Sequence, residues 1–202
     1  MMDVAAFKIT QFAVLLVFAI FISDFRKKKG ITPLVSERLT LLMKISYFVP
    51  LIAFVYVLIT LNTVLSFDII TLGLTFIGTV IVVKAKLDLS RHHTWTGYCL
   101  HGSKFTTKGI YAYIRHPIYT GIYVFVIGGF FTVVPHASWQ LSTTLSVTAL
   151  FCMAYIMAFL ALLANKETNT LLRQHGVKFR KYKEKVHPFF PLRKYKVGET
   201  IS

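Results

Sequence analysis

Long apolar segments separated by short polar ones dominate this chain. Five of the apolar segments are close to the roughly 20 residues that an α-helix needs to cross the hydrocarbon core of a bilayer. The fourth contains Gly121, Gly128 and Gly129, small residues that favour close packing between membrane helices. The pattern predicts an all-α fold, a polytopic membrane bundle of about five transmembrane helices. The predicted spans are residues 4–23, 41–61, 68–87, 118–135 and 144–164.

Composition supports a membrane protein. Hydrophobic residues make up 55% of the chain and charged residues 15%, with a mean hydropathy of +0.61. Soluble domains carry about 25% charged residues. The first span has no basic residue before Lys8 and no small-residue cleavage site after it, so we interpret it as a retained helix rather than a signal peptide. The 202 residues are expected to form one domain, with three spans in 1–87, a motif region with two spans in 88–191, and a tail in 192–202.

Charge distribution predicts the orientation of the spans. Basic residues number 5 in segment 24–40, 6 in segment 84–117 and 10 after residue 164, whereas segments 62–67 and 136–143 contain none. The positive-inside rule then places the N-terminus outside and the C-terminus in the cytoplasm. The membrane would be the cytoplasmic membrane in a prokaryote or the endoplasmic reticulum in a eukaryote. Topology and attraction to anionic membrane lipids account for the net charge of +15 without nucleic acid.

The stretch GIYAYIRHPIYTG, residues 109–121, places an Arg-His-Pro triplet directly before the fourth span. Arg115 offers a planar fork of donors suited to a carboxylate or phosphate, and His116 titrates near neutral pH. Pro117 is well tolerated in the first turn of a helix. Gly109 is a candidate for an unusual backbone angle or a close approach to a ligand. The ordinary alternative is an interfacial arginine with a solvated histidine beside it.

Tyrosines surround the triplet. Tyr111 and Tyr119 are candidates for lining an adenine or lipid pocket, whereas Tyr123 fits an interfacial aromatic belt. Gly121 lies four residues after Pro117, where it would allow a neighbouring helix or a cofactor to come close.

A second polar block follows the fifth span. Glu167, one of eight acidic residues, is predicted near the membrane surface, and Gly176 is expected to end the helix that carries it. Phe179, Tyr182 and Val186 then recur at spacings of three and four, which predicts an amphipathic helix with its basic residues facing lipid headgroups and water. The alternative is a basic tail used only for membrane adhesion.

Neither a metal site nor a soluble nucleotide-binding fold is predicted. The histidines lack cysteine or carboxylate partners at ligand spacing, so we interpret them as solvated loop residues. The chain has no phosphate-binding glycine-rich loop, so a nucleotide cofactor would need a site made by helix ends and cytoplasmic segments. The histidines concerned are His92, His93, His101, His136, His175 and His187.

Taken together, the two blocks resemble the isoprenylcysteine carboxyl methyltransferase and phospholipid methyltransferase superfamily. The shared order is Gly-x-Tyr-x-x-x-Arg-His-Pro-x-Tyr-x-Gly, a helix hairpin, and then Glu-x-x-x-Leu-x-x-x-x-Gly-x-x-x-x-x-Tyr-x-x-x-Val before a proline. The resemblance covers about the C-terminal half. Matching positions are Gly109, Tyr111, Arg115, His116, Pro117, Tyr119 and Gly121 in the first motif, and Glu167, Leu171, Gly176, Tyr182, Val186 and Pro191 in the second.

The resemblance implies an integral membrane methyltransferase that uses S-adenosylmethionine. Its cofactor pocket would face the cytoplasm, and a lipidic acceptor would arrive from the bilayer, either an isoprenylcysteine carboxylate or a phosphatidylethanolamine-type amine. Arg115, His116 and Glu167 are the implied catalytic residues. The implied cofactor-binding residues are Gly109, Tyr111, Arg115, His116, Pro117, Tyr119, Gly121, Glu167 and Tyr182.

Two positions depart from the family pattern. Thr168 stands where many members have a second acidic residue, and Ser103 stands where prenylcysteine enzymes often have a histidine. Two other classes remain as alternatives, a nicotinamide-dependent sterol or steroid reductase and a non-enzymatic membrane scaffold or transporter subunit. Reductases of that kind are generally longer. A transporter is disfavoured because the spans contain almost no ionisable residues that could line a pathway.

Overall fold

The computed structural model describes residues 3–23, 31–89, 98–100, 105–136, 139–192 and 195. Among them, five helices are long and apolar enough to cross a membrane. This confirms the predicted all-α fold and the number of spans. The helices are α1 (Val4–Ile22), α2 (Glu37–Thr60), α3 (Ser66–Leu89), α4 (Pro117–His136) and α5 (Trp139–Lys185).

The last helix extends well past the predicted span. α5 continues through the second polar block, and Gly176 interrupts it with φ 51° and ψ −126°. Positive φ is unfavourable for residues with a Cβ atom, so glycine at this position allows the chain to change direction. The prediction that Gly176 ends the helix carrying Glu167 is therefore confirmed.

A small two-stranded sheet was not predicted. The strands β1 (Ile31–Pro33) and β2 (Tyr98–Leu100) pair antiparallel, with Thr32 opposite Cys99. Strands of three residues are too short to show a two-residue hydrophobic period, and their pairing joins segments distant in sequence. The sheet connects the segment before α2 to the segment that follows α3.

Small residues bring α3 and α4 into close contact. A Cβ atom added to Gly78 would lie 2.7 Å from the carbonyl oxygen of Gly121, and one added to Gly121 would lie 2.7 Å from that of Gly78. At Gly128 the nearest atom would be Cβ of Leu74, 2.9 Å away. These backbones approach closely because no side chain separates them, as is usual at tightly packed membrane helix interfaces.

Replacing Gly121 with alanine should destabilise the bundle by about 1–3 kcal/mol, the usual range for overpacking. The added Cβ would meet a backbone carbonyl, which cannot move aside as a flexible side chain can. Gly73→Ala on α3 is the matched control, because a Cβ there has nothing within 4 Å. Thermal unfolding in detergent measures both variants, and equal midpoints would contradict the close α3–α4 contact.

Contacts near the helix termini define the two ends of the bundle. The Lys86 ammonium donates to the carbonyl of Ser23 at 3.3 Å, and that of Lys166 donates to the carbonyl of Leu34 at 3.1 Å. We call this the motif end, since residues 109–117 also lie there. At the opposite end, Lys8 donates to the carbonyl of Ile59 at 2.9 Å. Which end faces the cytoplasm remains a prediction.

Polar side chains pair inside the bundle toward the opposite end. The His136 Nε2 atom lies 2.8 Å from the Asp68 carboxylate, and Asp68 is fully buried. Thr132 donates to Thr71 at 2.8 Å. The prediction that His136 is a solvated loop histidine is therefore wrong, because α4 extends one residue past the predicted span and carries the ring against α3.

Candidate functional site

The chain after α5 folds back onto the start of α4. The amide of Arg115 donates to the carbonyl of His187 at 3.0 Å, and the amide of His116 donates to that of Pro188 at 2.9 Å. The Thr120 hydroxyl donates to the carbonyl of Phe189 at 3.1 Å. Amides at the start of a helix have no partner within it, so these bonds satisfy them and hold the two sequence motifs together.

The His116 ring contacts two consecutive residues of α5. Its Nδ1 atom is 3.2 Å from a carboxylate oxygen of Glu167, and its Nε2 atom is 3.1 Å from the hydroxyl of Thr168. The ring also stacks on Tyr119, with centroids 5.7 Å apart and planes 7° apart. Only 8% of the residue is exposed. Both ring nitrogens are engaged within the protein, so His116 orients the residues around it.

The Glu167 carboxylate is held by two neighbouring side chains and is also partly exposed. One carboxylate oxygen accepts a hydrogen bond from the Tyr119 hydroxyl, and the other faces His116. The Glu167 side chain nevertheless remains 25% exposed. Because each carboxylate oxygen has two lone pairs, the residue can accept further hydrogen bonds from a ligand while its neighbours hold it in place.

The Arg115 guanidinium presents unpaired donors. Its Nε and Nη1 atoms are buried, and neither has a hydrogen-bond partner among the described residues. Burial lowers the pKa of this guanidinium, whereas the nearby Tyr182 hydroxyl acts in the opposite direction. Arginine nevertheless stays charged in proteins. Buried charged donors without partners are costly, so these atoms fit an anionic ligand such as a carboxylate.

Tyr111 and Tyr182 connect the two motifs. The Tyr182 hydroxyl donates to the carbonyl of Tyr111 at 2.6 Å, and both residues are buried. Burial raises the pKa of Tyr111, and the negative charge of Glu167 raises it further. Tyr111 therefore stays neutral and lies within electrostatic range of Glu167.

The predicted amphipathic helix is present, and its apolar face packs on the protein itself. Phe179, Tyr182 and Val186 are almost fully buried and form a cluster with Phe105 and Tyr195. Of the basic residues between them, Arg180, Lys181 and Lys183 are exposed, as predicted, and Lys185 is half-buried.

Replacing Tyr182 with phenylalanine should destabilise the protein by about 1–3 kcal/mol, the cost of leaving a buried acceptor without its donor. The lost bond is the one to the Tyr111 carbonyl. Thermal unfolding measures the effect. Tyr56→Phe, at a position 49% exposed on α2, serves as the control and should change little. Identical unfolding midpoints for the two variants would rule out the bond as a link between the motifs.

The turn at Gly109 brings the first motif into contact with the end of α3. It has φ +60°, which confirms the unusual backbone angle expected from the sequence. The Asp88 carboxylate accepts from the amide of Ile110 at 2.7 Å and from the ammonium of Lys84 at 2.6 Å. A Cβ added at Gly109 would lie 2.1 Å from that carboxylate. Glycine is needed here for both the angle and the space.

The structure places the remaining predicted site residues as follows. Pro117 begins α4, as expected. Gly121 faces Gly78 and Val82 of α3, so among the described residues it serves helix packing. Tyr123 lies further along α4, where its hydroxyl donates to the carbonyl of Met157 at 2.8 Å.

Two residues of the site were not selected from the sequence. Thr168 contacts His116, and Asp88 anchors the turn at Gly109. Each belongs to a helix that does not carry its partner, so local spacing gave no signal. The one sequence feature that could have drawn attention to Asp88 is that acidic residues are rare in this chain.

Some expectations lie outside the described residues. These concern His92, His93, His101 and Ser103. Within the described ranges, no group of three or more histidine, cysteine or acidic side chains could hold a metal ion. His175 and His187 are partly buried, with the His175 ring 4.9 Å from that of Phe105. The Nδ1 atom of His187 accepts from the amide of Phe190 at 3.3 Å. Both are therefore partly solvated, and His175 lies within α5 rather than in a loop.

Residues 65–162 match the family model for phospholipid methyltransferase. No curated protein matches the chain. The matched region is nearly half of the chain and contains α3, the whole first motif, α4 and most of the membrane part of α5. The match confirms the resemblance seen in the sequence, and this part of the chain is similar to the phospholipid methyltransferase family.

Proposed function

We propose that this protein is a membrane-embedded methyltransferase that uses S-adenosylmethionine to methylate a lipidic acceptor. The observation that carries the proposal is the pair of buried, unpartnered guanidinium nitrogens of Arg115. The neighbouring His116 contacts Glu167, and in this proposal the Arg115 guanidinium and the partly exposed Glu167 carboxylate act together on one ligand. S-adenosylmethionine has a carboxylate, an ammonium and ribose hydroxyls, which complement these two groups.

The donor set suggests how the cofactor would be held. Arg115 would bind its carboxylate through charge-assisted hydrogen bonds from its guanidinium. Glu167 would accept from the ribose hydroxyls or the amino group, and Tyr111 would pack against it. His116 would act by positioning Glu167, because both of its ring nitrogens already have partners. When bound, the cofactor supplies an electrophilic methyl group on a sulfonium.

The chain must then align the acceptor and manage its proton. An amine acceptor is an ammonium ion at neutral pH and must lose a proton before its nitrogen can attack. Glu167 is the group suited to accept that proton, since its side chain is partly exposed and held by Tyr119 and His116. The carbon–nitrogen bond then forms as the carbon–sulfur bond breaks. A carboxylate acceptor would need no base, and Arg115 or Arg180 could orient it instead.

We also propose that the motif end faces the cytoplasm. The exposed basic residues after Gly176 lie on this side, where the positive-inside rule places them. They would attract anionic lipid headgroups and hold the amphipathic helix near the membrane surface.

Methyl transfer in lipid nanodiscs tests the proposal. Purified protein would receive S-adenosylmethionine with a tritiated methyl group in nanodiscs that contain phosphatidylethanolamine, and in a parallel arm a farnesylated cysteine analogue. The expected result is tritium in one extracted acceptor, with an equal amount of S-adenosylhomocysteine. A folded protein that labels neither acceptor would contradict the proposed reaction.

A further inference from the structure

The two ring nitrogens of His116 face chemically different partners. Nδ1 lies 3.2 Å from a carboxylate oxygen of Glu167, and Nε2 lies 3.1 Å from the hydroxyl of Thr168. The rings of Tyr119 and Phe189 lie beside the imidazole, with centroids 5.7 and 6.1 Å from it, and the residue is 8% exposed. Among the described residues, Glu167 and Thr168 therefore determine which nitrogen of His116 carries a hydrogen.

The carboxylate fixes the first of these positions. A neutral imidazole carries one hydrogen, which lies on either nitrogen, and its other nitrogen is an acceptor. An ionised carboxylate has acceptors only, so a hydrogen on Nδ1 can be donated to Glu167, whereas a bare Nδ1 would set two lone pairs against each other. Nε2 is then the acceptor and needs a donor.

The Thr168 hydroxyl can supply that donor. Threonine within a helix often donates to the carbonyl four residues back, and Thr170 does so to Lys166 at 2.9 Å. Thr168 is buried, and its hydroxyl lies at hydrogen-bond distance from the imidazole. Two consecutive positions of α5 thus offer one ring a group that only accepts and a group that can donate.

We propose that Thr168 is a positioning residue that keeps His116 neutral, with its single hydrogen on Nδ1 and donated to Glu167. An acidic side chain at position 168 would accept from Nε2 as well, and both nitrogens would then carry hydrogen. The resulting imidazolium would form an ion pair with Glu167 and make that carboxylate a weaker proton acceptor. This consequence for the reaction rests on the proposed function, whereas the placement of the hydrogen rests on the geometry alone.

Nitrogen-15 NMR of the detergent-solubilised protein tests the placement without requiring turnover. The chain would carry labelled histidine, and the spectrum of His116→Asn would assign the His116 signals among those of the seven histidines. The two neutral tautomers and the imidazolium differ in the chemical shifts of their ring nitrogens. At mildly alkaline pH we expect the tautomer with hydrogen on Nδ1 in the wild type and in Thr168→Ser, and the imidazolium in Thr168→Asp.

Thr170→Asp is the matched control, since it adds the same charge two residues further along α5, and it should resemble the wild type. Thr168→Val covers the case in which Thr168→Asp does not fold. It removes the donor with little change in shape, so the Nε2 signal should move downfield to the position of an acceptor without a hydrogen bond. An imidazolium or a hydrogen on Nε2 in the wild type would overturn the proposal, as would an Nε2 signal that stays in place in Thr168→Val.

Single-turnover methyl transfer to phosphatidylethanolamine tests the consequence for Glu167. Thr168→Asp should slow it by a factor of about 100 or more, the lower range for loss of a general base, whereas Thr168→Ser and Thr170→Asp should keep the wild-type rate. A normal rate in a Thr168→Asp protein whose His116 is an imidazolium would overturn the positioning role. A wild-type protein without any methyl transfer would contradict the proposed function, and the NMR spectra would still report on the role of Thr168.

Discussion

Replacing Arg115 with alanine should weaken S-adenosylmethionine binding by a factor of about 30 or more and abolish methyl transfer. Truncating one partner of a buried charge pair typically costs about 2–5 kcal/mol. The same change should leave the stability of the ligand-free protein unchanged or slightly increased, because Nε and Nη1 of Arg115 bind no described residue. Removing buried donors that have no partner relieves a cost.

Weaker cofactor binding without a loss of stability would show that Arg115 has a binding role rather than a structural one. Equilibrium dialysis measures the affinity, and thermal unfolding measures the stability. Arg173→Ala is the matched control, because Arg173 is exposed on α5. An Arg115→Ala protein with normal affinity and turnover would remove this residue from the site. A protein that loses binding only because it unfolds would make its role structural.

Replacing Glu167 with glutamine should reduce methyl transfer by a factor of about 100 or more if the acceptor is an amine, the lower range for loss of a general base. Glutamine keeps the size of the side chain and an oxygen for the Tyr119 hydroxyl, but it cannot take a proton. Its amide also removes the negative charge that faces His116. Single-turnover methyl transfer measures the rate, and dialysis measures the affinity for the cofactor.

Glu184→Gln is the control, since Glu184 is exposed on the helix after Gly176. A loss of rate with unchanged affinity would indicate a base, whereas a loss of affinity would indicate a contact with the ribose hydroxyls or the amino group. If neither quantity changed, Glu167 would have no part in the reaction.

Thr168 occupies one of the two positions at which the chain departs from the family pattern. Many members have a second acidic residue at this position, and here its hydroxyl lies 3.1 Å from Nε2 of His116. The residue is buried. A carboxylate there would bring a second negative charge to the same imidazole. Threonine supplies a neutral partner instead, so Glu167 is the acidic residue that contacts His116.

The features that depend on local sequence patterns were predicted from the sequence. The five spans follow from segment length and hydropathy, because a bilayer requires about 20 apolar residues per helix. Gly109 was identified as a candidate for an unusual backbone angle and Gly176 as the end of a helix, and both have positive φ. The two motifs were matched in order and spacing, and the structure brings them together through amides of Arg115 and His116 and carbonyls after α5.

Contacts between segments that are distant in sequence could not be predicted from local sequence patterns. The pairing of Asp68 with His136 joins residues 68 positions apart, and the contact of Gly121 with Gly78 joins two different helices. A cavity lined by residues of four helices, Tyr47 of α2 among them, is likewise not predicted by any single segment. Such features depend on how the helices pack, and hydropathy does not contain that information.

The most direct test of a methyltransferase pocket at Arg115 and Glu167 is a calorimetric titration of the detergent-solubilised protein with S-adenosylmethionine, S-adenosylhomocysteine and a reduced nicotinamide dinucleotide. We expect saturable binding of the first two at one site and no heat of binding from the third. Binding of the nicotinamide dinucleotide alone, or of none of the three by a folded protein, would contradict this account.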